Sequence, residues 1–236
     1  MAHSLAGSLD TIFCVTPRLG YGYFAAIMKR LQFLLCLGLA LAGLHLTRAA
    51  DPKPAPAADP KTASNDQVAV LTFKGYGDIV LEFWPDVAPK TVENFKKLTT
   101  EKFYNGTRSH RLIPGFMIQL GDPLTKDPSQ EARWGTGDPG YKIKAEFNSK
   151  PHVKGVFSMA RSQDPDSAGS QFFICFANAG YLDGKYTVFG HVLQGMDVLD
   201  KLEKVPVGGR QGSSPQTPVV LESVKLVSRS ELKSSK

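Results

Sequence analysis

The residues of this chain best suited to chemistry lie in one short run, His110–Asp122, which reads HRLIPGFMIQLGD. Arg111 supplies a guanidinium that stays charged and presents its N–H donors in a fixed fork. Gln119 is polar within an apolar strand pattern, and such a group needs a hydrogen-bonding partner. This pair suits donation to a bound substrate. On residue type alone, Arg111 could also be a surface ion-pair residue and Gln119 a solvent-facing strand residue.

Three further runs follow the first one along the chain. They are Ser158–Arg161 (SMAR), Ser170–Cys175 (SQFFIC) and Leu182–Gly190 (LDGKYTVFG). In order and spacing, the four runs resemble the cyclophilin family, and the resemblance extends from about Val68 to Val227. It implies an enzyme that isomerises X–Pro peptide bonds in unfolded or flexible proteins. The resemblance implies no cofactor and no metal.

The reaction also makes chemical sense for these residues. X–Pro bonds interconvert over tens to hundreds of seconds, because amide resonance creates a barrier of roughly 20 kcal/mol. In the twisted state the proline nitrogen regains a lone pair, and a guanidinium can donate to it only there. The resemblance assigns this catalytic role to Arg111. It implies that Gln119 hydrogen-bonds to that arginine and to the substrate.

The resemblance also implies a groove around the bound proline. Ala160 and Arg161 match a segment whose main chain pairs with bound peptide, so Arg161 is expected to act through its backbone. Gly135 matches a loop residue that borders the groove, and Gln171 is a weaker candidate of the same kind as Gln119. Apolar residues would hold the proline, although each taken singly would more often be plain core. The four implied pocket residues are Phe116, Met117, Phe173 and Leu182.

Two substrate-binding positions depart from the family pattern. Tyr181 stands where many eukaryotic cyclophilins carry Trp, and Tyr186 stands where they carry His. Tyrosine still offers an aromatic face and a hydroxyl, so proline binding is expected to survive. That Trp is a main contact for the cyclic peptide cyclosporin in sensitive members of the family, so cyclosporin binding is expected to be weak here.

Composition and charge exclude several other classes of function. The net charge is +6, but four basic residues and one acidic residue precede Ala50, which leaves +3 for the rest. This excess is too small to indicate nucleic-acid binding. The five histidines lack metal-ligand spacing. Of the three cysteines only Cys175 follows the leader, and its apolar surroundings indicate a small buried hydrophobe rather than a catalytic thiol.

Short apolar runs separated by turn signals predict a mainly β fold. We expect a closed antiparallel eight-stranded β-barrel capped by two α-helices. The helices are predicted at Ala88–Thr100, where Val92, Phe95 and Leu98 recur at helical spacing, and at Met196–Leu202. The predicted strands are Val68–Phe73, Asp78–Phe83, Phe116–Leu120, Val153–Ala160, Gln171–Phe176, Thr187–Leu193 and Val219–Val227.

The segments before and after this domain have their own signatures. Lys29-Arg30, the apolar run Leu31–Leu46 and Thr47-Arg48-Ala49 follow the order of a secretory signal. We therefore interpret residues 28–49 as a signal peptide and residues 1–27 as a gene-model extension. Residues 50–67 form a Pro/Ala-rich linker, 68–227 the isomerase domain and 228–236 a polar tail.

This organisation predicts a periplasmic or secreted monomer with no stable membrane insertion after signal cleavage. The alternative is a folding helper that an uncleaved leader anchors to the inner membrane. A second alternative is a module that grips proline peptides without useful turnover, which the presence of Arg111 and Gln119 disfavours.

We expect the mature protein to begin at or near Ala50, because the small residues Thr47 and Ala49 precede it at the positions typical of signal cleavage. N-terminal sequencing and mass spectrometry of the native protein check this directly. Peptides from the region before Met28 would contradict both the proposed start site and the proposed cleavage.

Overall fold

The computed structural model describes residues 66–209 and 212–234 of the chain. The interpretations of residues 1–27 and 28–49, and of the linker as far as residue 65, concern segments outside the described residues. Within the described ranges, no helix is both long and apolar enough to cross a membrane.

Short strands are the commonest regular elements of the described chain. The strands are β1 (Gln67–Phe73), β2 (Gly77–Phe83), β3 (Thr107–Arg108), β4 (Arg111–Ile113), β5 (Met117–Leu120), β6 (Val156–Met159), β7 (Phe172–Cys175), β8 (Val188–Gln194), β9 (Val207–Gly208), β10 (Ser214–Pro215) and β11 (Val220–Ser228). The helices are α1 (Pro89–Thr100), α2 (Met196–Glu203) and α3 (Arg229–Ser234). Both predicted helices are confirmed, as α1 and α2, and α3 lies in the segment interpreted as a polar tail.

Nine strands form one antiparallel sheet in the order β3-β11-β1-β2-β8-β6-β7-β5-β4, while β9 pairs with β10. β3 and β4 are the two edges, yet only Ser109 and His110 separate them along the chain. Nine flat strands would span about 38 Å, whereas three residue steps cover at most about 11 Å. The sheet must therefore curl strongly until its edges approach each other.

The predicted mainly β, antiparallel architecture is confirmed, but strand pairing does not give the predicted closed barrel of eight strands. The sheet has nine strands, and its edges β3 and β4 share no ladder. In place of a ladder between the edges, carbonyl groups of residues 213–219 accept hydrogen bonds from residues next to or within the edge strands. Leu112 N–H donates to the Ser213 carbonyl at 2.7 Å, and Ser109 N–H donates to the Val219 carbonyl at 2.9 Å. We call residues 213–219 the seam segment, because hydrogen bonds to it replace direct pairing of the edges.

Helix α1 packs its apolar side against the main core. Pro89 stands in its first turn, where a missing N–H is harmless. Phe95 is fully buried, and its ring centroid lies 4.9 Å from that of Tyr104 and 5.4 Å from that of Phe172. The helical spacing of apolar residues therefore fixes which side of α1 faces the sheet.

Strands β4, β5 and β7 separate two apolar clusters, because alternate side chains point to opposite faces of a sheet. One face joins the main core through Leu112, Ile118, Leu120, Phe172 and Ile174. The other face contributes to a second cluster, which we call the outer cluster. Its buried members are Met117, Phe173, Cys175, Ala179 and Leu182, and its partly buried members are Ile113, Phe116, Ala160 and Tyr186.

Cys175 lies fully buried in the outer cluster. Burial raises the pKa of its thiol to about 12, and the charge of Asp183 contributes in the same direction. A thiolate is therefore almost absent at neutral pH, which agrees with the interpretation of Cys175 as a packing residue.

We expect the Cys175 thiol to resist a disulfide reagent at pH 8 in the folded protein and to react stoichiometrically once guanidinium unfolds it. The assay uses a Cys14→Ser/Cys36→Ser variant, in which Cys175 is the remaining thiol. Rapid stoichiometric labelling of the folded variant would contradict this account.

Candidate active site

Backbone register brings together residues from separate sequence runs. Arg111 on β4 pairs with Gln119 on β5, which pairs with Phe173 on β7. Phe173 in turn pairs with Ser158 on β6. Directly opposed residues share a face and have Cβ atoms about 4.5–5.5 Å apart. Arg111, Gln119 and Phe173 therefore form a row of neighbours on the face that carries the outer cluster.

The four residues predicted to hold a proline lie together in this cluster. Met117, Phe173 and Leu182 are almost fully buried. Phe116 is half-buried, and its ring centroid lies 5.8 Å from that of Tyr181. Tyr181 is 63% exposed, so it stands at the solvent side of the pocket. The arrangement offers an apolar surface with an aromatic rim, suited to a small apolar ring.

Gln119 has a partner that differs from the expected one. Its amide N–H donates to the Gln171 side-chain oxygen at 2.9 Å, and no bond joins Gln119 to Arg111. Gln171 donates onward to the carbonyls of Gly135 and Gly137, at 3.1 and 2.8 Å. Gln171 therefore positions Gln119 and holds the loop that borders the groove. The Gln119 side-chain oxygen accepts no hydrogen bond from a described residue.

A buried carboxylate that sequence reasoning missed anchors the same loop. Asp122 is fully buried and accepts hydrogen bonds from the N–H groups of Leu124, Gly135 and Gly137. A Cβ at Gly137 would overlap the Asp122 side chain, so this loop needs glycine there. An aspartate directly after an apolar strand was the available sequence signal.

Arg111 is half-buried, and its side chain makes no hydrogen bond or ion pair with a described residue. His110 beside it is largely shielded from solvent. Burial lowers the pKa of His110, and Arg111 lowers it further although Asp122 acts in the opposite direction. The imidazole is therefore neutral at pH 7, and Arg111 provides the positive charge at this end of the row.

Arg161 is held in place by its own side chain. Its Nε and Nη2 atoms donate to the Lys185 carbonyl at 3.1 and 2.9 Å, and its guanidinium lies 4.5 Å above the Tyr186 ring. Tyr186 in turn meets Phe173 edge-on. The Ala160 N–H donates to the Gln171 carbonyl, whereas the main chain of Arg161 bonds to no described residue. Arg161 thus keeps a main-chain donor and acceptor available.

A polar network around a buried histidine lies beside the pocket, and sequence reasoning missed it too. His152 is fully buried, with Nδ1 2.8 Å from Asp183 Oδ1 and Nε2 3.0 Å from Ser158 Oγ. These distances match those of a serine–histidine–aspartate triad, but no substrate can reach a fully buried Ser158. The network instead fixes His152, whose ring stacks on Phe173 at 6.0 Å between centroids.

Two cavities flank this site. One, of about 780 Å³, is bordered by Arg111 and Gln119, and the other, of about 360 Å³, is bordered by Ala160 and Arg161. Gln119 and Gly135 border both of them. A peptide seated on the outer cluster therefore has room for residues on either side.

Comparisons with known proteins agree with this geometry. Residues 68–226 match the family model for cyclophilin type peptidyl-prolyl cis-trans isomerase/CLD. A probable peptidyl-prolyl cis-trans isomerase of Brucella abortus is 47% identical over 154 residues, which cover 64% of this chain and 76% of that protein. Peptidyl-prolyl cis-trans isomerase-like 3 of Homo sapiens is 44% identical over 142 residues, which cover 59% of this chain and 84% of that protein.

A solved structure shares the fold as well. The Cryptosporidium parvum cyclophilin type peptidyl-prolyl cis-trans isomerase, crystallised in the presence of the dipeptide Ala-Pro, superposes with a TM-score of 0.61 at 28% identity. The match covers 69% of this chain and 99% of that one. With the family model spanning most of the chain and the fold and relatives in agreement, the chain belongs to the cyclophilin family of peptidyl-prolyl cis-trans isomerases.

Proposed function

We propose that this enzyme holds the proline of an X–Pro bond in the outer cluster and donates a hydrogen bond from Arg111 to the nitrogen of the twisted amide. The unpaired guanidinium is the observation that carries this proposal. It adjoins Gln119 and the apolar pocket on one sheet face, and no described side chain competes for it. An arginine fixed in a surface ion pair would not be available in this way.

The energetic case depends on differential binding. The planar amide gives its nitrogen lone pair to the carbonyl, so that nitrogen accepts poorly, whereas the twisted amide recovers the lone pair. A donor placed at that nitrogen therefore stabilises the transition state more than either ground state, which is the condition for catalysis. Burial of part of Arg111 strengthens the interaction, because fewer water molecules screen it.

Gln119 and Gln171 act as a positioning pair in this proposal. Gln171 binds the Gln119 amide and two carbonyls of the glycine loop. The remaining Gln119 oxygen is available to accept from Arg111 when substrate is bound. Its contact would orient the guanidinium without removing the positive charge.

Peptide residues beside the proline pair with the free main-chain groups of Arg161. The Cryptosporidium cyclophilin was crystallised in the presence of the dipeptide Ala-Pro, which supports proline-containing peptide as the ligand class. From the leader sequence we further propose that the physiological substrates are flexible X–Pro segments of exported proteins.

Replacing Arg111 with alanine is expected to lower kcat/KM for a proline tetrapeptide by roughly 10²–10³-fold, because loss of one transition-state donor typically has this effect. Arg111→Lys should recover little of the activity, since an ammonium lacks the planar fork of donors. A protease-free isomerisation assay measures both values.

The matched control for Arg111 is Arg133→Ala. Arg133 is an exposed arginine whose side chain bonds to Gln130, so its removal should leave turnover unchanged. Thermal melting checks that each variant folds. Turnover of folded Arg111→Ala close to that of the unsubstituted protein would refute the proposed role.

Cyclosporin inhibition is expected to be roughly 10–100-fold weaker than in relatives that carry Trp at the position of Tyr181. A phenol offers less apolar contact than an indole and directs its donor differently, and each loss is on the order of 1 kcal/mol. Tyr181→Trp should recover part of the affinity and change turnover little, because Tyr181 is a rim residue. Tight inhibition of the unsubstituted protein, or no gain in the variant, would count against this account.

A further inference from the structure

Two segments of the chain border the cavity of about 780 Å³ beside Arg111, one on each side. One wall is the seam segment, through Ser213, Pro215 and Pro218. The other is the segment before Gly135, through Pro128, Glu131 and Trp134. The volume lies within the usual range of ligand pockets. We call this space the arginine cavity, because Arg108 and Arg111 both border it.

The wall that includes Trp134 consists of a short helix and the tryptophan that follows it. The Asp127 side chain accepts from the Ser129 N–H at 2.9 Å and starts a short 3₁₀ helix, Pro128–Arg133. The Trp134 indole N–H donates to the Leu124 carbonyl at 3.1 Å. These bonds hold the wall in place next to Gly135.

Like His110 at Nδ1, Arg108 has a buried side-chain nitrogen without a hydrogen-bonding partner in this cavity wall. Its backbone is fixed, because its N–H donates to Thr125 Oγ1 at 2.9 Å. Its guanidinium makes no ion pair or hydrogen bond with a described residue, and its Nε atom is buried without a partner. A buried donor without an acceptor destabilises a protein. Because Arg108 borders the cavity, its guanidinium can turn toward an acceptor that a ligand supplies there.

The charges bordering the cavity favour an anionic ligand. Arg108 and Arg111 are positive, and His110 is neutral because burial lowers its pKa. Glu131 is the one acidic residue among the described lining residues, and it is exposed. A carboxylate can take two parallel hydrogen bonds from one guanidinium, a geometry that few other groups match.

We propose that the arginine cavity is a specificity subsite for a Glu or Asp side chain close to the proline of a peptide substrate, with Arg108 binding its carboxylate. This rests on the proposed function, since Arg111 and Gln119 border the same cavity. Three residue steps separate Arg108 from Arg111, so their Cα atoms lie at most about 11 Å apart. Three residues of an extended peptide cover a similar distance, so we expect the acidic residue within about three positions of the proline. It lies on the opposite flank from the residues that pair with Arg161, which borders the other cavity.

The test compares Glu with Gln at each of the three positions on either side of proline, in otherwise identical peptides. For each pair, isothermal titration gives the ratio of affinities and the isomerisation assay gives the ratio of kcat/KM. We expect Glu to be favoured by roughly tenfold at one position on one flank, as a charge-assisted hydrogen bond allows. Absence of any Glu preference would overturn the proposal.

Variants identify the group responsible for the preference. Arg108→Gln should reduce the Glu/Gln ratio to about one. The control Lys225→Gln, which removes an exposed positive charge outside both cavity linings, should keep the ratio unchanged. Glu131→Gln should raise the ratio, because it removes a like charge, and it carries the test if Arg108→Gln does not fold. An unchanged ratio in folded Arg108→Gln, or in Glu131→Gln when it stands alone, would overturn the proposal.

Failure of the two proposals is distinguishable. If the protein binds these peptides with an Arg108-dependent preference for Glu but isomerises none of them, the proposed function is refuted and the proposed subsite is supported. If the peptides are isomerised normally and the Glu/Gln ratios are close to one at every position, the proposed subsite is refuted and the proposed function is supported.

Discussion

The two-residue connection between the sheet edges is the constraint on which the rest of this structure depends. Because Ser109 and His110 alone join β3 to β4, nine strands must curl until their edges approach each other. The same connection places Arg108, His110 and Arg111 at the seam. The site therefore lies where the sheet fails to close, and its polar groups face a cavity instead of a ladder partner.

Side chains along β4, β5 and β7 point alternately to the two faces of the sheet, and the two faces have different roles. One face packs into the main core and supplies stability, while the other carries the outer cluster and the polar row that ends at Arg111. Since both sets of residues share the same strands, the rigid core also fixes the site. The buried His152 and Asp122 extend this rigidity to the pocket floor and the glycine loop.

Sequence reasoning found most of the fold because its long elements have clear periodicity. Helix α1 differs from its predicted range by one residue, whereas predicted Val153–Ala160 shortens to Val156–Met159. The edge strands β3 and β4 escaped prediction, because two or three residues are too few to show alternation. The predicted closure of an eight-stranded barrel is not confirmed, because the sheet edges are joined through hydrogen bonds to the distant seam segment and not through a ladder.

Some residues of the candidate site could likewise be predicted from the sequence, and others could not. The four pocket residues and Arg111 could be named because their runs resemble the cyclophilin family, and the structure brings them to one face. Residues that act through long-range contacts could not be found: His152 meets a carboxylate 31 positions away, at Asp183. The expected hydrogen bond between Gln119 and Arg111 is absent. Gln119 instead bonds to Gln171, whose side chain lies within reach because Gln171 directly precedes β7.

The central claim is that Arg111 acts on the twisted amide and not on the bound ground state. Exchange NMR on a proline peptide that saturates the enzyme separates these two effects, because it gives the interconversion rate within the complex independently of affinity. The account predicts that Arg111→Ala slows interconversion on the enzyme by at least roughly 10²-fold while the Kd of the peptide changes little. An unchanged interconversion rate in the saturated variant, with the loss confined to Kd, would contradict it.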